Sequence, residues 1–246
     1  MLDDGALTGI AVGGPIDTSF DAKFAARRSL PWWPWIGARF TRSLVRTMIL
    51  GESVYDWDPK IGAAKRRYAR ADGLRITHGN HALNPRRDSP YVRNIERAIF
   101  LRRYPSDVQV RELWASVAYH NLVLRPMQTA KNRPAMTDYV SGWTEWLDLA
   151  ALLGIEQCIA YGLEAHKIEA LRRAARARQV SCVVREIGPS IGRHRARMAT
   201  IEGTGISVRV LFIRHPSAFF SWRAWGQLIR EHVESLGEQV LPVIHP

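Results

Sequence analysis

The chain reads as an α/β protein, a three-layer α/β/α sandwich around a central, mostly parallel sheet. Three observations predict this. Short apolar runs alternate along the chain with segments whose apolar residues recur at helical spacing. The runs are nearly continuous in apolar residues, as strands buried on both faces are. The 246 residues are 46% hydrophobic, enough to bury one sizeable core.

Residues 1–40 read as an N-terminal arm and 41–246 as a single α/β domain. The arm is rich in Gly, Pro and small polar residues up to Asp21. It ends in Leu30-Pro31-Trp32-Trp33-Pro34-Trp35-Ile36, where the prolines forbid a regular helix. Its indoles read as a strap packed onto the domain, with base stacking as the alternative. Leu44–Leu50 reads as the first strand, closed by Gly51. Arg-rich helical segments follow at 63–71 and 91–103, and a short helix at 107–114. Ser116–His120 is a second strand ending at Asn121, and Tyr139–Leu153 a helix. Ile155–Tyr161 is a third strand, closed by Gly162, and 164–178 a basic helix. Val180–Val184 and Ser207–Ile213 are the remaining strands, and a helix over 222–236 closes the chain. The segment Thr77–Pro85, with His78, His81 and Asn84, reads as a polar loop, with contact to a base as the alternative.

The formal net charge is +12, carried mostly by arginine; lysine occurs only at 23, 60, 65, 131 and 167. Arginine forks bind phosphate bidentately, so a chain this basic points to a polyanion, with nucleic acid first. No apolar run is long enough to span a membrane, and Met1-Leu2-Asp3-Asp4 lacks the start of a signal peptide. A cytoplasmic protein is expected, acting as a monomer without a membrane partner. Two isolated cysteines, Cys158 and Cys182, read as buried thiols and cannot ligate an iron–sulfur cluster. No metal and no cofactor is expected.

Three polar clusters each follow a predicted strand: Gly51–Ser53, His120–Asn121 and His215–Ser217. Ligands of parallel sheets bind at the carboxyl ends of strands. Gly51 lets the backbone approach a ligand closely. An Asn amide such as Asn121 can pair with a base edge. His215 can donate to an oxygen that gains charge in a transition state. Ser217 can meet a phosphate. The plain structural alternatives are a turn asparagine and a capped helix start with the following phenylalanines in the core.

Together, Gly51-Glu52, Asn121, Gly142-Trp143, Tyr161-Gly162 and His215-Pro216-Ser217 resemble, in order and spacing, the motifs of the uracil-DNA glycosylase superfamily across about residues 44–222. The resemblance implies a monofunctional DNA glycosylase that flips a pyrimidine from double- or single-stranded DNA and hydrolyses its N-glycosidic bond, leaving an abasic site. It implies that His215 donates to the departing base, Asn121 reads the Watson–Crick edge, and Ser217 holds a phosphate. Phe219 or Phe220 would fill the space left in the duplex. Arg214 and Arg125 would add backbone contacts, and Tyr55 would line the base pocket.

The chain departs from the pattern at Ser53, where well-known members carry an acid that orients the attacking water. A serine is no comparable base without an activating partner. Glu52, Asp56 and Asp58 are the candidate replacements, and Ser53 itself stays in the candidate site. The base is therefore open. Uracil is the family's own substrate. A modified cytosine, including the bulky bases of phage DNA and hence a role in antiviral defence, is the rival. A catalytically inactive DNA-binding relative and a nucleoside or nucleotide hydrolase are the alternatives.

Overall fold

A computed structural model describes residues 14–55, 62–84, 89–129, 132–217 and 219–236. In chain order the elements are α1 (Asp21–Ala25), β1 (Trp35–Ile36), β2 (Thr47–Gly51), α2 (Ala63–Tyr68), α3 (Gly73–Ala82), α4 (Pro90–Phe100) and α5 (Asp107–Ser116). They continue with β3 (Ala118–Asn121), α6 (Met136–Leu153), β4 (Gln157–Tyr161), α7 (Ala165–Ala177), β5 (Ser181–Ile191), β6 (His194–Gly203), β7 (Ile206–Ile213) and α8 (Trp222–His232). The strands form one sheet in the order β1-β3-β2-β4-β7-β6-β5. The four in the middle, β3, β2, β4 and β7, run parallel. β1 at one edge, and β6 and β5 at the other, pair antiparallel. The α/β sandwich read from the sequence is therefore the fold.

Every residue of β2, β3 and β4 is buried, which is why these strands read as continuous apolar runs. One sheet face carries Ile49, Tyr119, Ile159, Tyr161, Leu211 and Ile213, packed under α3, α4, α5 and α8. The other carries Met48, Leu50, Ala118, Cys158, Ala160 and Phe212, packed under α6 and α7. Leucine or tryptophan side chains buried this way each contribute about 1.5–3 kcal/mol.

The Trp-rich segment lies against the domain. Trp32 donates its indole N–H to Tyr68 O at 2.9 Å and Trp35 to Trp114 O at 2.8 Å. Trp33 is half-buried under the Arg75 guanidinium, 5.6 Å from its ring centroid. Cys158 is buried as read, whereas Cys182 is only half-buried on the outer strand β5.

Several boundaries differ from the sequence reading. Leu44–Arg46 lie outside β2, and Leu44 is 80% exposed. Ser116 ends α5 rather than opening β3. The stretch 77–82 is helical, not a loop: α3 carries both His78 and His81. Its composition is loop-like, but buried Arg75 bonds both Asp21 carboxylate oxygens at 2.8 and 3.0 Å and Pro34 O at 3.1 Å, and these contacts hold the helix. The segment read as a fourth strand of a parallel sheet is the start of β5, an 11-residue antiparallel edge strand.

Gly142 explains how α6 reaches the sheet. A Cβ there would collide with the Leu122 carbonyl, in the loop just after β3. Backbone cannot yield as a flexible side chain can. Gly142→Ala, although it adds helix propensity, should therefore cost about 1–3 kcal/mol, the usual range for overpacking. Urea denaturation of the variant checks this; equal or greater stability would contradict the close approach.

Candidate active site at the carboxyl edge of the sheet

The parallel register brings the three polar clusters to one edge. Gly51 at the end of β2 lies level with Asn121 at the end of β3. Tyr161 at the end of β4 lies level with Ile213 at the end of β7, two residues before His215. Backbone bonds extend this alignment into the loops. Leu122 N–H donates to Gly51 O (3.0 Å), Val123 N–H to Glu52 O (2.8 Å) and Met127 N–H to Val54 O (2.8 Å). The first loop is thus zipped to the chain after β3.

Gly51 is needed because the Asn121 side-chain oxygen and the Tyr119 hydroxyl fill the space its Cβ would take. The Tyr119 hydroxyl donates to Asn121 Oδ1 at 3.0 Å, both residues being buried. That bond orients the amide and leaves its NH2 as the donor for a ligand. Tyr119 in turn lies flat on the His78 ring, with centroids 3.8 Å apart and planes at 10°. His78 stands edge-on to Trp114 at 4.5 Å and to Trp35 at 5.4 Å. An aromatic stack reaching back to the N-terminal strap therefore sets the direction of the Asn121 side chain.

On the other sheet face Glu52 anchors a charge network. Its Oε1 accepts the Tyr139 hydroxyl at 2.7 Å and meets Lys167 Nζ at 2.7 Å. Arg133 lies 3.3 Å from each carboxylate oxygen. Glu164 meets Arg133 at 2.9 Å and Lys167 at 3.1 Å, and Lys167 also donates to Tyr161 O at 2.7 Å. Burial alone would raise the Glu52 pKa, but the charge and hydrogen bond of Lys167, the Tyr139 hydroxyl and the Arg133 charge together hold it below the usual carboxylate range. Burial, and then the Glu52 charge, push the Tyr139 phenol up. Glu52 is therefore ionised and held by donors, not a carboxylate poised to take up protons.

His215 sits half-buried, edge-on to Tyr161 with ring centroids 5.5 Å apart. Burial pushes its pKa down to about 4; the nearby charges of Glu52, Lys167, Glu164 and Arg133 act in opposing directions and do not restore it. The ring is neutral near pH 7. Its Nδ1 lies 3.1 Å from Ser217 Oγ. In the tautomer in which the Ser217 hydroxyl donates to Nδ1, the proton of the neutral ring sits on Nε2, a donor for a ligand oxygen; in the other, Nδ1–H donates to Ser217 Oγ and Nε2 is an acceptor.

The remaining sequence candidates fall in different places. Asp56 and Asp58 lie outside the described residues. Ser53 Oγ is buried with no hydrogen-bond partner among the described residues, as is the Tyr161 hydroxyl. Tyr55 is half-buried and bridges to Met127. Phe219 is 90% exposed and holds a left-handed backbone, φ 55°. Phe220 is not available as a wedge: it is buried and stacked on Trp225, at 6.2 Å and 11°. Ser217 is exposed, and its hydroxyl faces His215 rather than standing free for a phosphate. Arg125 is exposed but holds Asp138 bidentately at 2.7 and 2.8 Å beside the start of α6. Arg214 is half-buried at the edge, next to His215.

Sequence reasoning missed Tyr119, Tyr139, Arg133, Tyr161, Glu164 and Lys167. A signal for Lys167 was present: it is one of five lysines in a chain that otherwise uses arginine. Among the described residues no group of three or more His, Cys, Asp and Glu side chains is placed to hold a metal, and no helix is long and apolar enough to cross a membrane. Two surface clefts, of about 350 and 380 Å³, lie beside α7 and between α8 and the β5–β6 turn, and neither is lined by Glu52, Asn121 or His215. The cluster itself is closed, with Glu52 5%, Asn121 2% and Tyr161 2% exposed.

Two outcomes follow from this geometry. Lys167→Met leaves Glu52 with one cation fewer in a buried place and should cost about 3–5 kcal/mol in denaturant unfolding. Adding Glu52→Gln should recover part of that loss; full additivity would mean the pair is not coupled. The His215 ring should titrate by NMR near pH 4 rather than at its ordinary 6.5. The folded chain prefers the neutral ring, so this contribution to stability is complete above about 6.5 and is lost as pH falls toward 4. A midpoint at 6.5 would contradict the burial. No family model and no curated protein matches the chain, so the geometry of this edge is what a functional reading has to stand on.

Proposed function

We propose that the chain is a DNA glycosylase that flips a modified or damaged pyrimidine and hydrolyses its N-glycosidic bond. The observation that carries this reading is the meeting, at one sheet edge, of a neutral His215, an oriented Asn121 amide and an exposed Phe219. The motif resemblance of the strand ends to the uracil-DNA glycosylase superfamily supports it, as does the formal net charge of +12.

In this reading the electron pair of the broken bond goes to the base, and His215 Nε2–H stabilises the oxygen that gains the charge. A neutral donor suits this role, because it stabilises developing charge without first losing a proton. The Asn121 NH2 donates to an acceptor on the base edge. Uracil offers such an acceptor in its O4 and cytosine in its N3, so both substrate classes remain within the proposal. The sugar becomes oxocarbenium-like, the oxygen of one water bonds to its anomeric carbon, and that water's proton passes through solvent to the departed base anion. Such a centre demands little of a base. Glu52 supplies a fixed negative charge, and its carboxylate, held by Tyr139, Lys167 and Arg133, is the acceptor that would orient the water. Phe219 occupies the gap in the stack, and its exposed, left-handed position suits insertion. Because the cluster is closed, entry of a base requires side chains at the edge to move.

Duplex and single-stranded oligonucleotides carrying uracil, thymine mismatches and modified cytosines, followed by alkaline cleavage, test the proposal. At least one substrate should yield abasic sites. His215→Ala and Asn121→Ala should each lower single-turnover cleavage by about 10²–10³ without loss of fold. Phe219→Ala should weaken productive binding more than the chemical step. Absence of product on every substrate, with DNA binding intact, would overturn the enzyme reading. It would favour a non-catalytic DNA binder, the reading that Ser53 in place of an acid supports.

A further inference from the structure

The β5–β6 hairpin extends beyond the sheet on the same edge as the site. β7 ends at Ile213, and Arg197 on β6 lies level with Phe212, so Ala196 and its β5 partner Ile187 are the last residues level with the sheet. Residues 188–195 continue past it, an overhang of roughly 10 Å at the rise of a strand. The overhang is not adrift. Its residues Pro189, Ser190, Ile191 and Gly192 line a cleft of about 380 Å³ together with Ser221 and Ala224 of the α8 start. Ser221 lies two residues after the exposed Phe219. The hairpin tip and the Phe219 loop are therefore neighbours.

The end of the hairpin is strongly basic. Between 185 and 197 the chain carries Arg185, Arg193, Arg195 and Arg197 against the single acid Glu186. Arg185, Arg193 and Arg195 are exposed. Glu186 is shared by Arg195 at 3.3 Å and Arg197 at 3.8 Å, so one carboxylate faces two guanidinium groups. These pairs are exposed and contribute little in water, so the arginines are easily released to another anion. Charges on an outer strand often serve only to block edge-to-edge pairing. That does not account for Arg197, which is paired with Glu186 of β5 on one side and Phe212 of β7 on the other.

We infer that the overhanging β5–β6 hairpin is a docking arm for the sugar–phosphate backbone of nucleic acid, gripping the strand beside the nucleotide that enters the site. The partner is a polyphosphate chain because the overhang presents the exposed guanidinium forks of Arg193 and Arg195, with Arg197 next along β6, on the edge of the sheet that holds the proposed site. The inference rests on the nucleic-acid part of the proposed function but not on catalysis.

The test is binding of a fluorescein-labelled 20-mer duplex by the full chain, measured by anisotropy across a range of NaCl concentrations. Each phosphate contact contributes about 0.9 to the slope of log affinity against log salt. Arg193→Ala/Arg195→Ala should lower that slope by about 2 and leave the melting temperature unchanged. Arg193→Lys/Arg195→Lys should restore most of the slope. Arg173→Ala/Arg176→Ala, which removes as much charge from the exposed side of α7, should leave the slope near wild type. An unchanged slope in the hairpin variant overturns the inference, and so does an equal drop in the α7 variant, which would assign the effect to net charge. A wild-type dimer that the hairpin substitutions dissociate, with the slope intact, assigns the overhang to self-association and also overturns it. Steep binding that the hairpin variant loses, without cleavage of any oligonucleotide by wild type, sustains the arm and removes the glycosylase reading. Cleavage with an unchanged slope does the reverse.

Discussion

A lysine ammonium that is 1% exposed must be neutralised where it stands, and in this chain Glu52 does so from 2.7 Å. The pair joins α7 to the loop after β2, two segments 115 positions apart in sequence. Neither charge could remain buried alone without a cost of several kcal/mol. Tyr139 from α6, Arg133 from the preceding loop and Glu164 from the turn before α7 complete the shell. Five segments are thereby pinned at one end of the sheet. His215 then lies in a field of two carboxylates and two cations, where burial decides its neutrality.

On the opposite face the constraint is steric and aromatic rather than ionic. Asn121 has its direction because Tyr119 holds it, Tyr119 because it stacks on His78, and His78 because Trp35 and Trp114 enclose it. The Trp-rich strap thus acts on the site without touching a ligand. The absent side chain of Gly51 leaves the space that the Asn121 side-chain oxygen and the Tyr119 hydroxyl fill. Under the proposed function, a preorganised donor set of this kind would cost little reorganisation at the moment of reaction. Phe219 and the hairpin end, by contrast, are exposed.

The parallel core was legible because a strand covered on both faces has to be apolar along its whole length, and β2, β3 and β4 are. β6 was missed although Gly192 and Gly203 flank it and Ala196 and Met198 alternate with arginines. Its arginines hid the period, since their long aliphatic stems cover apolar surface while their heads stay in water. α3 was misread because His78, Gly79 and Asn80 are weak helix formers, and its helix depends on a buried Arg75–Asp21 contact. Of the site, His215, Asn121 and Gly51 were readable as polar residues closing apolar runs. The residues that orient them were not, because Tyr119 and Tyr161 lie inside those same runs and look like core.

The sequence by itself determined the class of fold, the strands of its parallel core and the polar groups that close three of them. Those properties are local: burial on both faces imposes composition, and the chain must turn where the apolar run stops. Tertiary structure alone decided which groups are usable. It made Glu52 a locked anion through a lysine on a distant helix, and His215 neutral through burial. It separated exposed Phe219 from its buried neighbour Phe220, and it carried Arg193 and Arg195 past the edge of the sheet. Each of these outcomes depends on what lies across space from a residue, and pairing and desolvation are set by that neighbour rather than by the adjoining sequence.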